Sequence, residues 1–467
     1  MIDRVFALFA IILFAGNSAF ARPALPAAVA NELKAAGIPL SEVGIVVQEA
    51  GKNTPLISLN AKQAMNPASV MKLVTTYAAL DLLGPAHTWI THAYVTTPIA
   101  NDVLNGDLYV KGSGDPKLTQ EQFWLLLRQL RARGVKEIKG DLVLDHSAFA
   151  AIPQDTAFDG KPQRPYNVIP DALLLNFKSV RLTIAPQPGQ RVILSAEPAL
   201  TSLDIVNHIQ TTDDQCGEWK DGLHVEETTV KKSFRLTLSG SYPASCEEQT
   251  WNIGVLSHSD YVGAVFRDLW RELDGKFTGA VRDGIVPDDA RPVASIESPA
   301  LSEIVRDINK YSNNVMARQM FLSLAQASPA TTQEAAATVK RWLAEKRLDF
   351  PELVLENGSG LSRHERISAQ SLAQLLQSII ASPLMPELVA SLPLAAVDGT
   401  MKKRLKDEGI AGHAHIKTGT LDGVKTLAGM VLDAHGRQII VVLLVNHPNA
   451  QRAQAAQDAL LRWAYLR

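Results

Sequence analysis

Two polar residues in an otherwise apolar stretch, Ser69 and Lys72, have the types and spacing that covalent catalysis by a serine requires. Residues 66–84 carry apolar side chains on nearly every side, which predicts a helix enclosed by protein, and Pro67 and Gly84 suit its start and its end. Ser69 then lies in the first turn, where free backbone N–H groups favour a developing negative charge, and Lys72 lies beside it on the same face. The pair has the types of a nucleophile and its base.

The same pair also has an ordinary structural explanation. The pattern S-x-x-K is expected roughly once by chance in a chain of this length at average residue usage, and here it occurs only at Ser69–Lys72. A serine at a helix start is a common N-cap, and a lysine one turn later is usually solvated. A catalytic role for the pair therefore needs support from the rest of the chain.

Two further short motifs supply residue types that acyl transfer by a serine needs, namely a proton relay and a positive charge. Ser312-Asn313-Asn314 lies where a helical pattern breaks, which exposes side chains towards a cleft. Lys417-Thr418-Gly419 opens a predicted strand, where Gly419 allows close approach of a substrate backbone. The pattern S-x-N also occurs at residues 58–60 and is weak alone, whereas K-T-G occurs once.

The first 21 residues have the pattern of a secretory signal peptide. Arg4 is followed by an apolar run, and Ala19-Phe20-Ala21 offers small residues at the positions that signal peptidase reads. We therefore expect cleavage after Ala21 and a periplasmic location. No later stretch approaches the roughly 20 apolar residues of a membrane span, so no transmembrane anchor is expected. The formal net charge of −2 suggests neither a nucleic-acid nor an acidic-membrane partner.

Cys216 and Cys246 are the two cysteines of the chain. In an oxidising compartment they can form a disulfide, and closing a loop of about 30 residues would stabilise its domain by roughly 3–4 kcal/mol. The alternative is two separate buried thiols.

The two ends of the chain differ in pattern from its middle. We predict an α/β (α+β) fold in which an antiparallel sheet built from both termini packs with helices, formed by residues 22–84 and 293–467. The strands expected in it are 43–49, 55–60, 415–421, 426–432 and 438–445. Residues 85–292 contain many short β-like runs and a helix at 119–133, which predicts a β-rich insertion of two small domains.

With these motifs in the order S-x-x-K, S-x-N and K-T-G on a helix, a loop and a strand, the chain resembles the penicillin-recognising serine enzymes. It is most similar to the low-molecular-mass class C penicillin-binding proteins, which are D-Ala-D-Ala carboxypeptidases and endopeptidases. The resemblance covers essentially the mature chain and includes the long insertion. Other stretches that look like family landmarks are Gly112-Ser113-Gly114-Asp115-Pro116, Asp145-His146-Ser147-Ala148-Phe149, Asn357-Gly358-Ser359-Gly360-Leu361-Ser362-Arg363 and Asp398-Gly399-Thr400.

The resemblance implies a role for each motif residue. Ser69 would attack the carbonyl of the penultimate D-alanine to form an acyl-enzyme, with Lys72 as the base. Ser312 would relay the proton to the leaving D-alanine, and Asn314 would bind the peptide. The backbone N–H groups of Ser69 and Thr420 would form the oxyanion hole.

The resemblance also implies the groups that bind the substrate's charged ends. Lys417 and Thr418, followed by Gly419, would hold the terminal carboxylate. Asp145 on the insertion would meet the free amine of a diaminopimelate side chain, and Arg363 would order the cleft. The alternative for these last two residues is an ordinary structural role, with Asp145 in a turn and Arg363 on the surface.

The second motif departs from the family pattern at its middle position, where Asn313 replaces aspartate. Tyr311-Ser312-Asn313 also satisfies the Y-x-N of class C β-lactamases, so the register is either Ser312/Asn314 or Tyr311/Asn313. We favour Ser312/Asn314 because the other landmarks and the insertion fit carboxypeptidases.

The predicted function is a serine D,D-peptidase that hydrolyses D-Ala-D-Ala stem peptides, D-Ala-diaminopimelate cross-links of peptidoglycan, or both, and that β-lactams inhibit. No metal or cofactor is expected, since His413-Ala414-His415 has no cysteine or carboxylate cluster beside it. The alternatives are a β-lactamase or esterase on the same scaffold, and a non-catalytic wall-binding or penicillin-sensing protein. The oligomeric state is left open.

Overall fold

The computed structural model describes residues 25–152, 158–230, 233–406 and 409–467, so the predicted signal peptide 1–21 and its cleavage site lie outside the described residues. The helices are α1 (Ala27–Ala35), α2 (Lys72–Leu83), α3 (Gln120–Ala132), α4 (His258–Glu272), α5 (Leu301–Tyr311), α6 (Asn314–Leu322), α7 (Thr332–Glu345), α8 (Ala369–Ile380), α9 (Met385–Ser391) and α10 (Gln454–Leu466). Within the described ranges, every helix is too short or too polar to cross a membrane.

The strands are distributed between the two ends and the middle of the chain. They are β1 (Val43–Glu49), β2 (Ile57–Leu59), β3 (Ile90–Val95), β4 (Ile99–Ala100), β5 (Val103–Leu104), β6 (Leu108–Lys111), β7 (Glu137–Ile138), β8 (Leu142–Asp145), β9 (Ser179–Ala185), β10 (Ile193–Glu197), β11 (Leu203–Thr212), β12 (Leu223–Val230), β13 (Ser233–Pro243), β14 (Gln249–Gly254), β15 (Lys276–Phe277), β16 (Val281–Asp283), β17 (Arg291–Glu297), β18 (Ala414–Leu421), β19 (Val424–Leu432) and β20 (Gln438–Asn446).

The central sheet joins the two ends of the chain in the order β18–β19–β20–β1–β2, and all its neighbouring strands are antiparallel. Each of its five strands was expected from the sequence within two residues at each end. This sheet and the helices packed on it confirm the predicted α/β fold class with an antiparallel sheet built from both termini.

Both faces of this sheet are buried, and β20 shows how. Ile440, Val442 and Leu444 face a hydrophobic core that contains residues of α2, α5, α6, α7 and α8. Their odd-numbered neighbours in 439–445 face a second core with α1 and α10. Because successive side chains of a strand point to opposite faces, a strand buried on both faces is apolar along its whole length.

The helix that carries the S-x-x-K motif starts differently from the expectation. Residues 68–71 form a 3₁₀ turn, and the α-helix begins only at Lys72. Ala68 has a positive φ of 45°, and its backbone N–H donates to Asn66 Oδ1 at 2.9 Å. Gly84, with φ 86°, ends the helix as its position predicted. Ser69 therefore lies in a tight turn before the helix rather than in the first turn of the helix.

The inserted region between α2 and α5 contains further sheets around one large hydrophobic core that extends from Ala93 to Ala294. Its sheets have the orders β16–β8–β6–β3–β17, β15–β7–β5–β4, β10–β9–β14 and β11–β13–β12. The division of this region into two small domains stays a prediction, since one core connects its parts. The boundary expected at residue 292 falls inside β17, which pairs with β3. We therefore propose that the insertion extends to Glu297.

Helix α4 in the insertion was not anticipated, although its sequence carries the signals. Ser257 accepts a hydrogen bond from the backbone N–H of Asp260 as an N-cap. Val262, Phe266 and Leu269 are buried at helical spacing on one face. The high density of short β-like runs around this segment hid the helical period.

A disulfide joins Cys216 and Cys246, with a Cα–Cα distance of 4.8 Å. Near it, the ring of Trp219 makes edge contacts with Tyr242 and Trp251, at centroid distances of 5.3 and 6.2 Å. The bridge therefore fastens the loop after β11 to the turn after β13.

Replacing both cysteines with serine should lower the free energy of unfolding of the insertion by roughly 3–4 kcal/mol, because the unfolded chain regains the entropy of an open loop. Urea unfolding followed by tryptophan fluorescence measures this change. Acylation by benzylpenicillin should persist in the folded double variant, because neither cysteine lines the cleft described below. Unchanged stability would contradict the prediction.

Candidate active site

The side chain of Lys72 is fully buried and held by three acceptors from separate segments. Its Nζ lies 3.0 Å from Ser69 Oγ, 2.6 Å from Asn314 Oδ1 and 2.5 Å from the carbonyl oxygen of Ser359. The predicted nucleophile and base are thus in direct contact. Three acceptors around one nitrogen fix its position, so the amine is directed at Ser69 rather than at solvent.

The break between α5 and α6 places the second motif in the same site. Ser312 adopts a left-handed conformation with φ 56°, which ends α5 and turns its side chain towards Lys417, whose Nζ lies 2.8 Å from Ser312 Oγ. Asn313 serves as N-cap of α6, accepting from the backbone N–H of Met316, and Asn314 contacts Lys72. This geometry favours the Ser312/Asn314 register over Tyr311/Asn313.

Strand β18 packs directly against the turn that carries Ser69. A Cβ added at Gly419 would lie 2.8 Å from the carbonyl oxygen of Pro67 and 2.9 Å from the backbone nitrogen of Ser69. Thr426 on β19 donates a hydrogen bond to the same Pro67 oxygen at 2.7 Å. Only glycine allows this approach, which explains why the third position of the K-T-G motif has no side chain.

The loop of residues 356–365, which we call the glycine-serine loop, covers the other side of this turn. Gly360 has φ 80°, and a Cβ there would lie 1.8 Å from the carbonyl oxygen of Ala68. The carbonyl of Gly358 accepts from Thr75 Oγ1 at 2.6 Å, and that of Ser359 accepts from Lys72. Ser359 was recognised as part of a family landmark, but its contact with the base was not anticipated.

A third loop, containing Asp398-Gly399-Thr400, also reaches the site. Asp398 is paired with Lys310 of α5, with 2.7 Å between Lys310 Nζ and Asp398 Oδ2. Thr400 Oγ1 lies 2.7 Å from Thr418 Oγ1 in the K-T-G motif. Thr400 therefore joins the predicted carboxylate-binding group. In the sequence, only its place in the family landmark Asp398-Gly399-Thr400 pointed to it.

Burial and charge both act on the two lysines. Burial lowers the pKa of Lys72 well below its ordinary value, and the nearby charge of Lys417 lowers it further, while Glu365 acts in the opposite direction. Burial also lowers the pKa of Lys417, to about 7. A buried amine with a depressed pKa is partly neutral near neutral pH and can accept a proton.

The site opens into a cleft of about 750 Å³. Ser69, Ser312, Asn314, Thr418 and Thr420 lie along it. The opposite wall comes from the insertion and consists of polar and aromatic side chains, including Gln120, Glu121, Tyr166, Phe177, Arg181 and Asn252. The volume of the cleft is in the range of ligand-binding sites in proteins.

Two predicted site residues lie elsewhere in the described part of the chain. The Asp145 side chain is fully buried and accepts backbone N–H groups of Ser147 and Val286, each at 2.9 Å, so it secures β8 in the insertion instead of reaching substrate. Arg363 donates to the carbonyl of Asp422 at 2.9 Å and lies over the ring of Phe158. Neither is among the residues that line the cleft, and the expected contact of Asp145 with a substrate amine stays a prediction that this geometry does not support.

A model of the D-Ala-D-Ala carboxypeptidase 3 (S13) family matches residues 25–465. The chain belongs to this family. The resemblance to penicillin-binding carboxypeptidases is confirmed, and the chain is a serine-type D-Ala-D-Ala carboxypeptidase.

Relatives of this S13 family member match most of its length. D-alanyl-D-alanine carboxypeptidase DacB of Haemophilus influenzae is 27% identical over 414 residues, covering 87% of this chain and 85% of the relative. D-alanyl-D-alanine carboxypeptidase of Actinomadura sp. (strain R39) is 28% identical over 439 residues, covering 89% of this chain and 80% of the relative.

Solved structures of similar fold also cover the S13 chain almost completely. Penicillin binding protein 4 (dacB) from Haemophilus influenzae superposes with a TM-score of 0.78 at 24% identity, covering 93% of this chain and 99% of the other. Its complex with a β-lactam superposes with a TM-score of 0.75 at 25% identity, covering 94% of this chain and 99% of the other. A predatory endopeptidase from Bdellovibrio bacteriovorus superposes with a TM-score of 0.54 at 17% identity, covering 90% of this chain and 91% of the other.

In this S13 enzyme, Gly360→Ala should lower the rate of acylation by benzylpenicillin by roughly 10²-fold, because the added methyl group displaces the turn of Ser69 by a fraction of an ångström or more. Stopped-flow or quench measurements of acylation give the rate.

Gly436→Ala is the matched control, since Gly436 has the same φ of 80° but no atom within 4 Å of an added Cβ. It carries the same backbone strain without the contact, so it should cost about 1–2 kcal/mol of stability and leave acylation unchanged. Equal acylation rates in the two variants would contradict the assignment of Gly360 to the site.

Proposed function

We propose that this carboxypeptidase cleaves peptidoglycan peptides through an acyl-enzyme on Ser69, with Lys72 as the general base. The observation that carries the proposal is the 3.0 Å contact between Lys72 Nζ and Ser69 Oγ, with the amine fully buried. As Ser69 Oγ bonds to the carbonyl carbon of the penultimate D-alanine, its proton passes to Lys72 Nζ and the carbonyl electron pair moves onto oxygen.

The developing oxyanion would be held by the backbone N–H groups of Ser69 and Thr420. This part of the proposal is supported by the close packing of β18 on the Ser69 turn, where a Cβ on Gly419 would lie 2.9 Å from the Ser69 nitrogen. Both Ser69 and Thr420 line the cleft.

The terminal carboxylate of the substrate would bind to Lys417 and Thr418, with Thr400 beside them. Ser312 would carry the proton on to the nitrogen of the leaving D-alanine as its C–N bond breaks, because the Ser312 hydroxyl contacts Lys417 and lines the same cleft as Ser69. Asn314, already a hydrogen-bond partner of Lys72, would also contact the peptide. Arg363 would act indirectly, through the strand turn that it contacts.

The proposed substrates are D-Ala-D-Ala stem peptides and D-Ala-diaminopimelate cross-links, and β-lactams would inhibit by forming a slowly hydrolysed acyl-Ser69. Support for β-lactam binding comes from the similar Haemophilus influenzae protein solved with a β-lactam. We further propose that the enzyme acts in the periplasm after removal of residues 1–21.

The wild-type protein incubated with benzylpenicillin should gain the mass of one penicillin molecule, on the peptide that contains Ser69. Ser69→Ala should show no adduct and no release of D-alanine from a D-Ala-D-Ala peptide. Ser58→Ala, an exposed serine on β2, is the control and should behave as wild type. Intact-mass measurement followed by peptide mapping decides.

The same measurement separates the alternatives. Rapid release of hydrolysed penicillin without a persistent adduct would favour a β-lactamase on this scaffold. Absence of both the adduct and D-alanine release in the folded wild-type protein would favour a binding or sensing protein.

The proposed roles of the lysines predict a bell-shaped pH dependence of kcat/KM. Acylation should fall at acidic pH, because the base form of Lys72 is lost as its depressed pKa is crossed from above. It should fall again at alkaline pH, because Lys417, with a pKa of about 7 in the free enzyme, loses the positive charge that binds the carboxylate. An acylation rate that is constant from mildly acidic to neutral pH would contradict the role of Lys72.

A further inference from the structure

The glycine-serine loop is held from behind by a carboxyl group that the proposed reaction does not use. Glu365 is fully buried. Its Oε1 accepts the successive backbone N–H groups of Glu356, Asn357 and Gly358, at 3.1, 3.0 and 2.9 Å. These three bonds fix the segment immediately before Ser359, whose carbonyl contacts Lys72.

The second oxygen of this carboxyl group has no hydrogen-bond partner. Glu365 Oε2 is buried and makes no bond within the described residues. A buried carboxylate oxygen without a partner is costly, and a structural anchor alone would be served equally well by a neutral side chain. An opposite charge nearby is the usual compensation, and Lys72 is the cation whose charge acts on Glu365.

The glycine-serine loop is otherwise braced by its own side chains. Asn357 Oδ1 accepts from the backbone N–H and the hydroxyl of Ser359, at 2.9 and 2.6 Å, and Asn357 Nδ2 donates to the carbonyl of Leu361. Ser362 donates to Glu356 Oε2 and accepts from the backbone N–H of Glu365. The loop therefore has internal hydrogen bonds besides those to Glu365, and its contact with Lys72 is made by the Ser359 carbonyl.

Two charged groups act on Lys72 from the elements around it, namely Lys417 on β18 and Glu365 in the glycine-serine loop. Their effects on Lys72 are opposite in sign. When Lys72 takes a proton from Ser69, a positive charge forms on which both a cation and a carboxylate act, and the carboxylate reduces the cost of forming it in a buried site.

We propose that Glu365 is a positioning residue for the acylation step, which holds the Ser359 carbonyl against Lys72 and supplies the buried negative charge opposite the ammonium that forms there. The inference rests on the proposed function, because it takes Lys72 as the base. Burial raises the pKa of Glu365 above its usual value, while its three backbone donors and Lys72 act in the opposite direction and favour the charged form. The protonation of Glu365 therefore depends on that of Lys72.

Glu365→Gln tests the proposal, since the amide oxygen can still accept the three backbone N–H groups while the charge is removed. Without the carboxylate the pKa of Lys72 should fall, so the acidic limb of the acylation rate should move to lower pH by roughly one unit. The maximal rate should fall severalfold, because a base of lower pKa is weaker. The measurement is the rate of acylation of the full chain by benzylpenicillin between acidic and neutral pH.

Glu356→Gln is the matched control, because it makes the same substitution in the same loop at an exposed residue, and its amide oxygen can still accept from Ser362. Its acidic limb should stay at the wild-type pH. Glu365→Asp keeps the negative charge but moves it one methylene farther from Lys72. The acidic limb of its acylation rate should therefore move to lower pH by less than the limb of Glu365→Gln. If the glutamine variant does not fold, as judged by thermal unfolding, the aspartate variant decides.

An unchanged acidic limb in Glu365→Gln, or in Glu365→Asp where only that variant folds, would overturn the proposal. An equal shift in Glu356→Gln would also overturn it. Failure of the proposed function itself looks different: Lys72→Met and Ser69→Ala would then be acylated as readily as the wild type. If those two variants lose acylation and the Glu365 variants keep the wild-type limb, the role of Glu365 alone is wrong.

Discussion

A lysine amine held out of water beside a serine hydroxyl is the constraint on which the rest of this enzyme depends. Removing an ammonium ion from water costs several kcal/mol even in a relaxed protein interior, so an isolated buried Lys72 would be strongly destabilising. The structure meets this cost with acceptors on Ser69, Asn314 and Ser359, which lie in three separate parts of the chain. The fold must therefore bring these segments together before the amine can be held in this position.

The sheet and its two helical layers supply the necessary rigidity. Strands β1 and β20 are buried on both faces, and α2 lies within the larger of the two flanking cores. β18 lies on the edge of the same sheet, which fixes Lys417 and Gly419 relative to the Ser69 turn. Precise placement of a nucleophile within a fraction of an ångström is easier on such elements than on loops.

Two buried lysines in one site also differ in what their charges favour. Each is buried, and the charge of Lys417 acts on Lys72, so keeping both protonated is unfavourable. A neutral amine at Lys72 suits proton abstraction, and a positive charge at Lys417 suits a carboxylate. The insertion completes the site from the other side, with polar residues such as Glu121 and Arg181 along the cleft.

The sequence by itself determined the strands of the central sheet and most of the helices around it, because hydrophobic periodicity is a local signal. Short motifs, which are also local, singled out Ser69, Lys72, Ser312, Asn314 and Lys417, and the structure brings these residues into contact. The sequence says less where the information is not local. Asp145 lies in one of the family landmarks, yet its carboxylate oxygens accept hydrogen bonds from the backbone N–H groups of Ser147 and Val286. Glu365 carries no motif. Its own hydrogen-bond partners are close in the chain, but only the tertiary structure buries it and brings its loop against Lys72, 287 residues from Ser359.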